Sequence, residues 1–311
     1  MLYVFDAHCD ALMTAREQGR TIWEESGEGQ WDLPRARASG VACQVLALCS
    51  SREKGLSPLN QVLIGIADLY RALKEYPGAF VIREAADWGR LAGGNLGVLL
   101  ALEGCDALEG SPELLEALYA LGVRCLSLTW NLRNDLADGV GDETSGGGLT
   151  RLGRLVVREA ARLGMVLDVS HLSTRGFWDA MEMNEGAWVA THSNCRALMD
   201  HPRNLTDDQI KAIAARGGVI GINFYPPFLT AAPQARIEDV VRHILYVAEL
   251  VGPEHVGLGS DFDGIDVAPA GLEDVTKTPR LIKALDEAGL SQRELSLILW
   301  ENWLRVFQRV V

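Results

Sequence analysis

The chain has 311 residues, of which 48% are hydrophobic and 23% charged, and its formal net charge is −13. This composition is normal for a globular protein. The excess of acid argues against nucleic acid and anionic membranes as main partners, because both are bound by clusters of Lys and Arg. The net charge does not exclude a small acidic substrate, since one local arginine or a metal ion is enough to bind it.

Processing and membrane signals are absent from the sequence pattern. The first apolar run is only a few residues long and has no basic region before it, so no signal peptide is predicted. No run of about 18 apolar residues predicts a membrane span. The cysteines form no C-x-x-C pair and are expected to be free thiols: Cys9, Cys43, Cys49, Cys105, Cys125 and Cys195. We therefore predict a cytoplasmic protein.

Short apolar runs rich in β-forming residues alternate with longer amphipathic segments. Helical spacing of apolar residues predicts a helix over 60–76 and another from Leu149 to Leu163. The predicted strands cover residues 3–8, 41–49, 97–102, 123–129, 165–170, 187–191, 218–224 and 255–260.

Eight strands that alternate with helices predict an α/β fold, a single (β/α)₈ TIM-type barrel over residues 1–311. A doubly wound sheet is the alternative, although no G-x-G-x-x-G follows a strand. A polar, Gly-rich insertion over 17–37 follows the first strand, and its Trp23 and Trp31 are candidates to cover one end of the barrel. The apolar segment 291–309 predicts a final helix that packs against the barrel wall.

Ligand-type side chains stand at the ends of five predicted strands, which is where barrels of this kind carry their function. The first strand runs into the sequence VFDAHCDAL, with acids and a histidine on alternate positions. Asp6 shares this predicted strand face and is a candidate to orient a ligand. The candidate site residues are His8, Asp10, Glu103, His171, His192 and Asp261.

These residue types fit a pair of divalent metal ions. In an extended strand, His8 and Asp10 point the same way and can bind one ion together. Imidazole and carboxylate suit Zn²⁺, and also Mn²⁺ or Fe²⁺. Burying Asp10, Glu103 and Asp261 together is costly without positive charge. We predict His8 and Asp10 on one ion, His171 and His192 on the other, and Glu103 as a bridge between ions about 3.5–4 Å apart. Such a pair shares a hydroxide and polarises a carbonyl group.

Each candidate also has a structural interpretation. A strand-end histidine is commonly a hydrogen-bonded structural group, Glu103 alone could cap a helix, and His8 with Asp10 could form a surface turn. The five predicted metal ligands stand together at four strand ends, which favours the metal site over these separate explanations. His243 and His255 are interpreted as structural, and His201 is assigned no role.

The motifs DAHCD, ALEG, LDVSH, THSN, HPRNLTDDQI and GLGSDFDG occur in this order between about residues 3 and 309. As a set they resemble the membrane dipeptidase (renal dipeptidase) family of zinc peptidases. Related amidohydrolases usually carry His-x-His on the first strand, and the sequence His8-Cys9-Asp10 favours the dipeptidase branch. The absence of a signal peptide and of a lipid-anchor tail favours a soluble bacterial-type member.

The resemblance implies roles for single residues. His8, Asp10 and Glu103 match the ligands of one zinc ion, and Glu103, His171 and His192 match those of the other. Asp261 and Arg203 match two further residues of the family. Asp261 corresponds to the acid that handles the proton. Arg203 corresponds to the arginine that holds the substrate carboxylate, although a loop salt bridge with Asp207 or Asp208 is its structural alternative.

The resemblance breaks at the end of the fourth predicted strand, where mammalian members have a substrate-binding histidine. This chain reads CLSLTWNLRNDLADG and has Trp130 at that place. An indole N–H donates one hydrogen bond but cannot accept a proton. Three interpretations stay open: Trp130 donates to the substrate carbonyl oxygen, Asn131 or metal takes that role, or Trp130 forms only a pocket wall.

The implied activity is hydrolysis of dipeptides, L-Xaa-L-Xaa and also L-Xaa-D-Xaa, by a hydroxide that bridges two Zn²⁺ ions. A homodimer is an assembly that the family allows. One alternative is a sister hydrolase that acts on a lactone, a cyclic amide or an N-acyl amino acid. A non-catalytic binding protein is another, against which the complete ligand set argues. Phosphate binding after the eighth strand is disfavoured by the two acids of GSDFDG.

Overall fold

The computed structural model describes residues 3–50, 55–183 and 186–311. Its strands belong to one sheet, in which neighbouring strands run parallel. The strands are β1 (Val4–Asp6), β2 (Val41–Cys49), β3 (Ala79–Val81), β4 (Leu96–Glu103), β5 (Val123–Ser127), β6 (Val166–Asp168), β7 (Ala187–Val189), β8 (Ile220–Ile222) and β9 (Val256–Leu258).

The sheet closes on itself as a barrel. Its strand order is β7-β6-β5-β4-β2-β1-β9-β8, and a parallel bridge between Ala190 and Ile220 joins the two ends of this row. This closure confirms the predicted (β/α)₈ barrel and excludes the doubly wound sheet, which has open edges. The short strand β3 lies outside the ring and pairs with β4. Strand β3 is not predicted from the sequence, because three residues are too few to show a periodic pattern.

Helices connect the strands and cover the outside of the barrel. The predicted helix over 60–76 is confirmed as α3, which begins two residues earlier. The α-helices are α1 (Ala11–Glu17), α2 (Leu33–Ala38), α3 (Pro58–Glu75), α4 (Leu114–Ala120), α5 (Arg151–Arg162), α6 (Thr174–Glu182), α7 (Asp207–Ala215), α8 (Pro226–Leu229), α9 (Ile237–Val251), α10 (Thr278–Glu287), α11 (Gln292–Ser296) and α12 (Asn302–Phe307).

The insertion after β1 is ordered by its own polar contacts. It contains the last residue of α1 and most of α2, so it is less irregular than its Gly-rich sequence indicates. The Asp32 side chain accepts a hydrogen bond from the Arg35 backbone N–H at 2.9 Å and caps α2. Trp31 is fully buried and Trp23 packs half-buried against the same apolar core.

The interior of the barrel is filled by alternate residues of the strands and sealed by the end of the chain. The predicted final helix is present as α11 and α12, joined by a π-helical turn over Leu297–Glu301. Trp303 donates its indole N–H to the Leu258 carbonyl at 3.0 Å. The Phe307 ring stacks on Phe5 with centroids 5.4 Å apart. Residues of α12 therefore enter the interior cluster itself. Leu295 of α11 instead packs in the larger cluster that the helices share with the sheet, in line with the predicted packing against the wall.

Candidate metal centre

The polar residues predicted at the strand ends meet at the C-terminal end of the barrel. His8 follows β1, Glu103 is the last residue of β4, and Asp261 follows β9. His171 follows β6 and His192 follows β7. The side chains of Asp261 and Asp10 are 14% and 11% exposed. Those of the other predicted ligands, His8, Glu103, His171 and His192, are at most 7% exposed.

Asp10 reaches this cluster by a route that differs from the predicted one. Strand β1 ends at Asp6, and Asp10 is the N-cap residue of α1, with φ −96° and ψ 13°. Its backbone N–H donates to the Phe262 carbonyl at 2.9 Å, which ties it to the segment after β9. The extended strand assumed in the sequence analysis is therefore wrong at Asp10, although its Oδ2 lies 3.3 Å from His8 Nε2.

Asp6 contacts the polypeptide backbone around the cluster. Its Oδ1 accepts hydrogen bonds from the backbone N–H of Ser260 at 2.8 Å and of His8 at 3.4 Å. The Ser260 hydroxyl donates to the other oxygen of the same carboxylate. Asp6 thus joins the residue His8 to the segment that leads to Asp261.

Carboxylates surround the imidazole of His8. Its Nε2 lies 3.7 Å from Glu103 Oε1 and 3.8 Å from Asp261 Oδ1, in addition to the Asp10 contact. Within the described part of the chain, this buried nitrogen has no hydrogen-bond partner. A buried polar atom without a partner is costly, so its position among carboxylate oxygens fits a metal ligand.

His171 and His192 present a second pair of donor nitrogens. Their Nε2 atoms lie 2.8 Å apart, and Glu103 Oε1 lies 2.9 Å from the first and 3.7 Å from the second. His171 Nδ1 is 2.8 Å from Asn131 Oδ1, an acceptor, so this nitrogen carries the proton. The Nε2 atom of His171 therefore has a free lone pair for a metal ion. The Nε2 atom of His192 also has one if His192 carries its proton on Nδ1.

The tautomer of His192 follows from its neighbours. Its Nδ1 lies 2.8 Å from the Thr191 hydroxyl, which donates its own hydrogen to Asp168. The hydroxyl oxygen must then accept from His192 Nδ1, and Nε2 keeps its lone pair. Two lone pairs that face each other at this distance repel unless a cation lies between them or beside them.

The pKa shifts within the cluster also support a cation site. Burial raises the pKa of Asp261 to about 8, helped by the nearby carboxylates of Asp10 and Glu103 and opposed by His8. Burial lowers the pKa of His8, but the carboxylates of Glu103, Asp10 and Asp261 outweigh it and raise it to about 10. Burial, with Arg203 adding to it, lowers the pKa of His171 and keeps the ring neutral. Three crowded acids beside the neutral imidazoles of His171 and His192 form a donor set that suits divalent cations.

The possible donor atoms form two groups that share His8. His8, Glu103 and His192 have ligand atoms within 4.8 Å of one another, as do His8, Asp10 and Asp261. The donors therefore fit divalent ions, and Glu103 is placed between the His8 side and the side of His171 and His192.

The backbone at two of these residues is strained. His171 has φ 72° and Asp261 has φ 63°, in the left-handed region that favours glycine. Asp263 shares this conformation, with φ 64°. Such conformations persist where the surroundings enforce them, and they are concentrated at functional sites.

A cavity of about 380 Å³ opens over the cluster. Arg203 lines it and is 7% exposed. Its Nη2 donates to the His192 carbonyl at 3.2 Å, and burial lowers its pKa. Among the residues described here, no carboxylate lies within ion-pair distance of Arg203, and Asp207 instead accepts from Tyr246 at 3.0 Å. The loop salt bridge weighed in the sequence analysis is therefore not formed.

Trp130 and Asn131 lie on the wall of the same cavity. Trp130 is 47% exposed, and its ring centroid is 6.3 Å from that of His171. The side-chain Oδ1 of Asn131 accepts a hydrogen bond from His171 Nδ1. The predicted site residues that line the cavity together are Asp10, Glu103, Trp130, Asn131, His171, Arg203 and Asp261.

Several residues that support the site were missed. Asn223 donates from Nδ2 to Asp261 Oδ2 at 2.8 Å, and Asp168 holds Thr191 against His192. Asn223 follows β8 directly, so the same rule of strand ends would have found it. Tyr225 and Phe228, at the start of α8 and within it, also line the cavity, but aromatic residues at a short helix give no signal that separates them from core residues.

A family model described as membrane dipeptidase (peptidase family M19) matches residues 1–311. The chain belongs to this family. The resemblance stated from the motifs is therefore confirmed, and so is the dipeptidase class of hydrolase that it implied. Among the helices of the described ranges, none combines the length and apolar character that crossing a membrane requires.

Similar proteins support this membership. An uncharacterized dipeptidase of Schizosaccharomyces pombe is 36% identical over 330 residues, which cover 98% of this chain and 80% of the relative. The solved dipeptidase AC, a metallopeptidase of family M19, is 31% identical, with a TM-score of 0.92 over 99% of this chain and 98% of its own. A metallopeptidase of Rhodobacter sphaeroides, solved with a phosphinate mimic of L-Ala-D-Ala, is 29% identical, with a TM-score of 0.91 over 100% and 99% of the two chains.

Proposed function

We propose that this family member hydrolyses dipeptides at a centre of two Zn²⁺ ions. The observation that carries the proposal is the convergence of His8, Glu103, His171 and His192 under a cavity whose wall contains the buried Arg203. The cavity of about 380 Å³ suits a small substrate rather than a protein chain. Zinc is proposed because imidazole and carboxylate donors dominate the cluster.

We assign the ligands as the sequence predicted them. His8 and Asp10 would hold one ion, His171 and His192 the other, and Glu103 would contact both. When bound, the ions act as Lewis acids toward a carbonyl oxygen and lower the pKa of water. Asp6, Asn131 and Thr191 would keep these ligands in place through the hydrogen bonds described above.

Asp261 is the residue that we propose to move the proton. Hydrolysis adds a water oxygen to the scissile carbonyl carbon and breaks the C–N bond, and the leaving amine needs a proton. Asp261 faces the cluster through Oδ1 and is raised in pKa, so it can accept the proton of the water and deliver it to the amine. Glu103 would take part through the ions, because its Oε1 lies within 3.7 Å of the Nε2 atoms of His8, His171 and His192.

Arg203 is proposed to bind the carboxylate of the substrate. A buried guanidinium that lacks an acidic partner within the described ranges is ready for a two-pronged contact with a ligand carboxylate. Arg203 lies beside His171 and His192. A substrate carboxylate bound to Arg203 would therefore be only a short distance from the bond that is cleaved. A substrate with a further residue at its C-terminal side would have its carboxylate too far away, so dipeptides are preferred.

Trp130 is proposed as a wall of the substrate cavity, because its half-exposed ring lies beside His171. Asn131 would contact the carbonyl oxygen of the substrate through its Nδ2. The relative from Rhodobacter sphaeroides was solved with a mimic of L-Ala-D-Ala, which supports including L-Xaa-D-Xaa substrates. We propose a cytoplasmic protein that binds a dipeptide substrate and neither nucleic acid nor membranes, with a homodimer as the assembly that the family allows.

Zinc-loaded protein should be assayed against L-L and L-D dipeptides, matched tripeptides, N-acyl amino acids and lactones. Cleavage of dipeptides but not of tripeptides supports the proposal. Cleavage confined to N-acyl amino acids or lactones would replace it by the sister hydrolase. The dipeptide C-terminal amide is a matched control, because it keeps the scissile bond and removes the group that Arg203 would bind.

A further inference from the structure

Asp263, two residues after Asp261, is held by the insertion after β1. Its carboxylate accepts hydrogen bonds from Arg20 Nη2 at 2.6 Å and from the Gln30 backbone N–H at 2.6 Å. Its own backbone N–H donates to Gln30 Oε1 at 2.7 Å. Its carbonyl accepts from the Thr14 hydroxyl at 2.7 Å. Every polar group of Asp263 is thus engaged by the segment that contains α1 and the insertion.

The ion pair in this network is buried. The side chains of Arg20 and Asp263 are 6% and 1% exposed. Arg20 also donates to the Trp31 carbonyl at 3.1 Å, and the Gln30 carbonyl accepts from Val275 N–H at 3.0 Å. A buried pair is costly to break from one side, because the remaining charge loses its partner. These contacts hold the insertion after β1 against the segment that follows β9.

This segment lies tightly against the centre. Asp261 N–H donates to the His8 carbonyl at 3.1 Å, and Gly264 N–H donates to the Asp261 carbonyl at 3.0 Å. A side chain at Gly264 would clash with the carboxylates of Asp10 and Asp261. Asp261 and Asp263 both hold left-handed backbone conformations that cost free energy, so external contacts must keep them in place.

We infer that Asp263 is a positioning residue, which with Arg20 and Gln30 holds the strained turn that aims Asp261 at the substrate. This inference rests on the proposed role of Asp261 in proton transfer. Arg203 lies in the segment that follows β7, and its side-chain hydrogen bonds within the described ranges go to Ser193, His171 and His192 and not to this turn. Loosening the turn therefore lowers kcat and leaves KM nearly unchanged.

The test compares Asp263→Asn, Arg20→Ala and Arg20→Lys in zinc-loaded protein. Asp263→Asn keeps the shape of the side chain but removes its charge, and Arg20→Lys restores a charge without the fork of donors. We expect kcat to fall roughly 10- to 100-fold in the first two, with partial recovery in the third, because small misplacements of reacting groups cost this much. Arg16→Ala is the matched control, since Arg16 pairs with Asp68 at 2.8 Å on the surface and its side chain is 53% exposed.

Hydrogen exchange supplies a readout that does not need activity. In Asp263→Asn, the amides of Asp261 and Gly264 should exchange faster, while those of β4 keep their wild-type protection. Unchanged exchange at these two amides overturns the inference, and so does an unchanged kcat. A wild-type protein that cleaves no dipeptide defeats the proposed function instead, and the exchange result then still decides whether Asp263 holds the turn.

Discussion

Asn223 donates from Nδ2 to Asp261 Oδ2 at 2.8 Å, while Asp261 Oδ1 stands 3.8 Å from His8 Nε2. The two oxygens of one carboxylate therefore have different surroundings. One is fixed by the amide at the end of β8, and the other faces the centre. This division fits a group that keeps its orientation while it gains and loses a proton.

Asp261→Asn should lower kcat by roughly 10²- to 10⁴-fold, which is the usual range for losing a general acid–base group. KM and zinc content should change little, because Arg203 and the histidines remain. Asp266→Asn is the control, since it removes an exposed acid from the same segment. A kcat within tenfold of the wild type, with zinc content unchanged, would remove Asp261 from the proton path.

The position of a site residue could be predicted where a few consecutive residues of the sequence reveal it. An apolar run followed directly by a histidine or an acid reveals a strand end, so His171, His192 and Glu103 could be found from the sequence. Asp10 was placed in the cluster for a reason that proved wrong, because β1 ends at Asp6 and the chain turns into α1. The residue type and its proximity to His8 were right, and the backbone conformation was not.

The remaining contacts depend on the closure of the barrel. Arg20 and Asp263 are 243 positions apart, and no spacing rule connects them. Asp168 and Thr191 meet because β6 and β7 are neighbours in the ring. The left-handed conformations of His171 and Asp261 are enforced by such contacts and oppose the preference of these residue types.

Arg203→Ala should raise KM for dipeptides by roughly 10- to 100-fold, since hydrogen bonds to charged groups contribute about 1.5–3 kcal/mol. Zinc content should stay the same. Arg203→Lys should recover part of the loss, because it restores charge without the two-pronged contact. With a dipeptide C-terminal amide as the substrate, the wild type and Arg203→Ala should have similar KM values, because this substrate lacks the carboxylate that Arg203 would bind. Equal KM values for the free dipeptide would rule out the clamp.

Trp130→Phe separates the two roles of the indole. The phenyl ring keeps an apolar wall but lacks the N–H donor. We expect kcat close to that of the wild type, and we expect Trp130→Ala to raise KM because the wall is lost. A large fall of kcat in Trp130→Phe would instead show that the indole N–H contacts the carbonyl oxygen. Steady-state kinetics with one dipeptide are sufficient.

His243 should make folding stability depend on pH. Burial lowers its pKa to about 4, and Arg242 adds slightly to this effect, while the hydrogen bond to the Leu229 carbonyl and the charge of Asp239 oppose it. The unfolded chain binds this proton near pH 6.5, earlier than the folded protein does as the pH falls. The contribution is therefore lost between about pH 6.5 and pH 4, and it amounts to about 3 kcal/mol.

The measurement is urea unfolding of the wild type and His243→Gln across this range. Nδ1 accepts from the Cys195 N–H at 3.1 Å and Nε2 donates to Leu229 at 3.0 Å, which a glutamine amide can imitate. The difference in unfolding free energy should shift in favour of the variant as the pH falls. A difference that stays constant from pH 7 to pH 4 contradicts a buried neutral imidazole.

The most direct test of the central claim is a zinc titration of metal-free protein during dipeptide hydrolysis, with Asp10→Ala and His192→Ala alongside. The account predicts that the wild-type rate rises until about two zinc ions are bound per chain. Each variant should lose one tightly bound ion together with nearly all activity. A rate that is maximal at one ion, or a chain with two ions bound that leaves every dipeptide intact, would contradict a two-zinc dipeptidase.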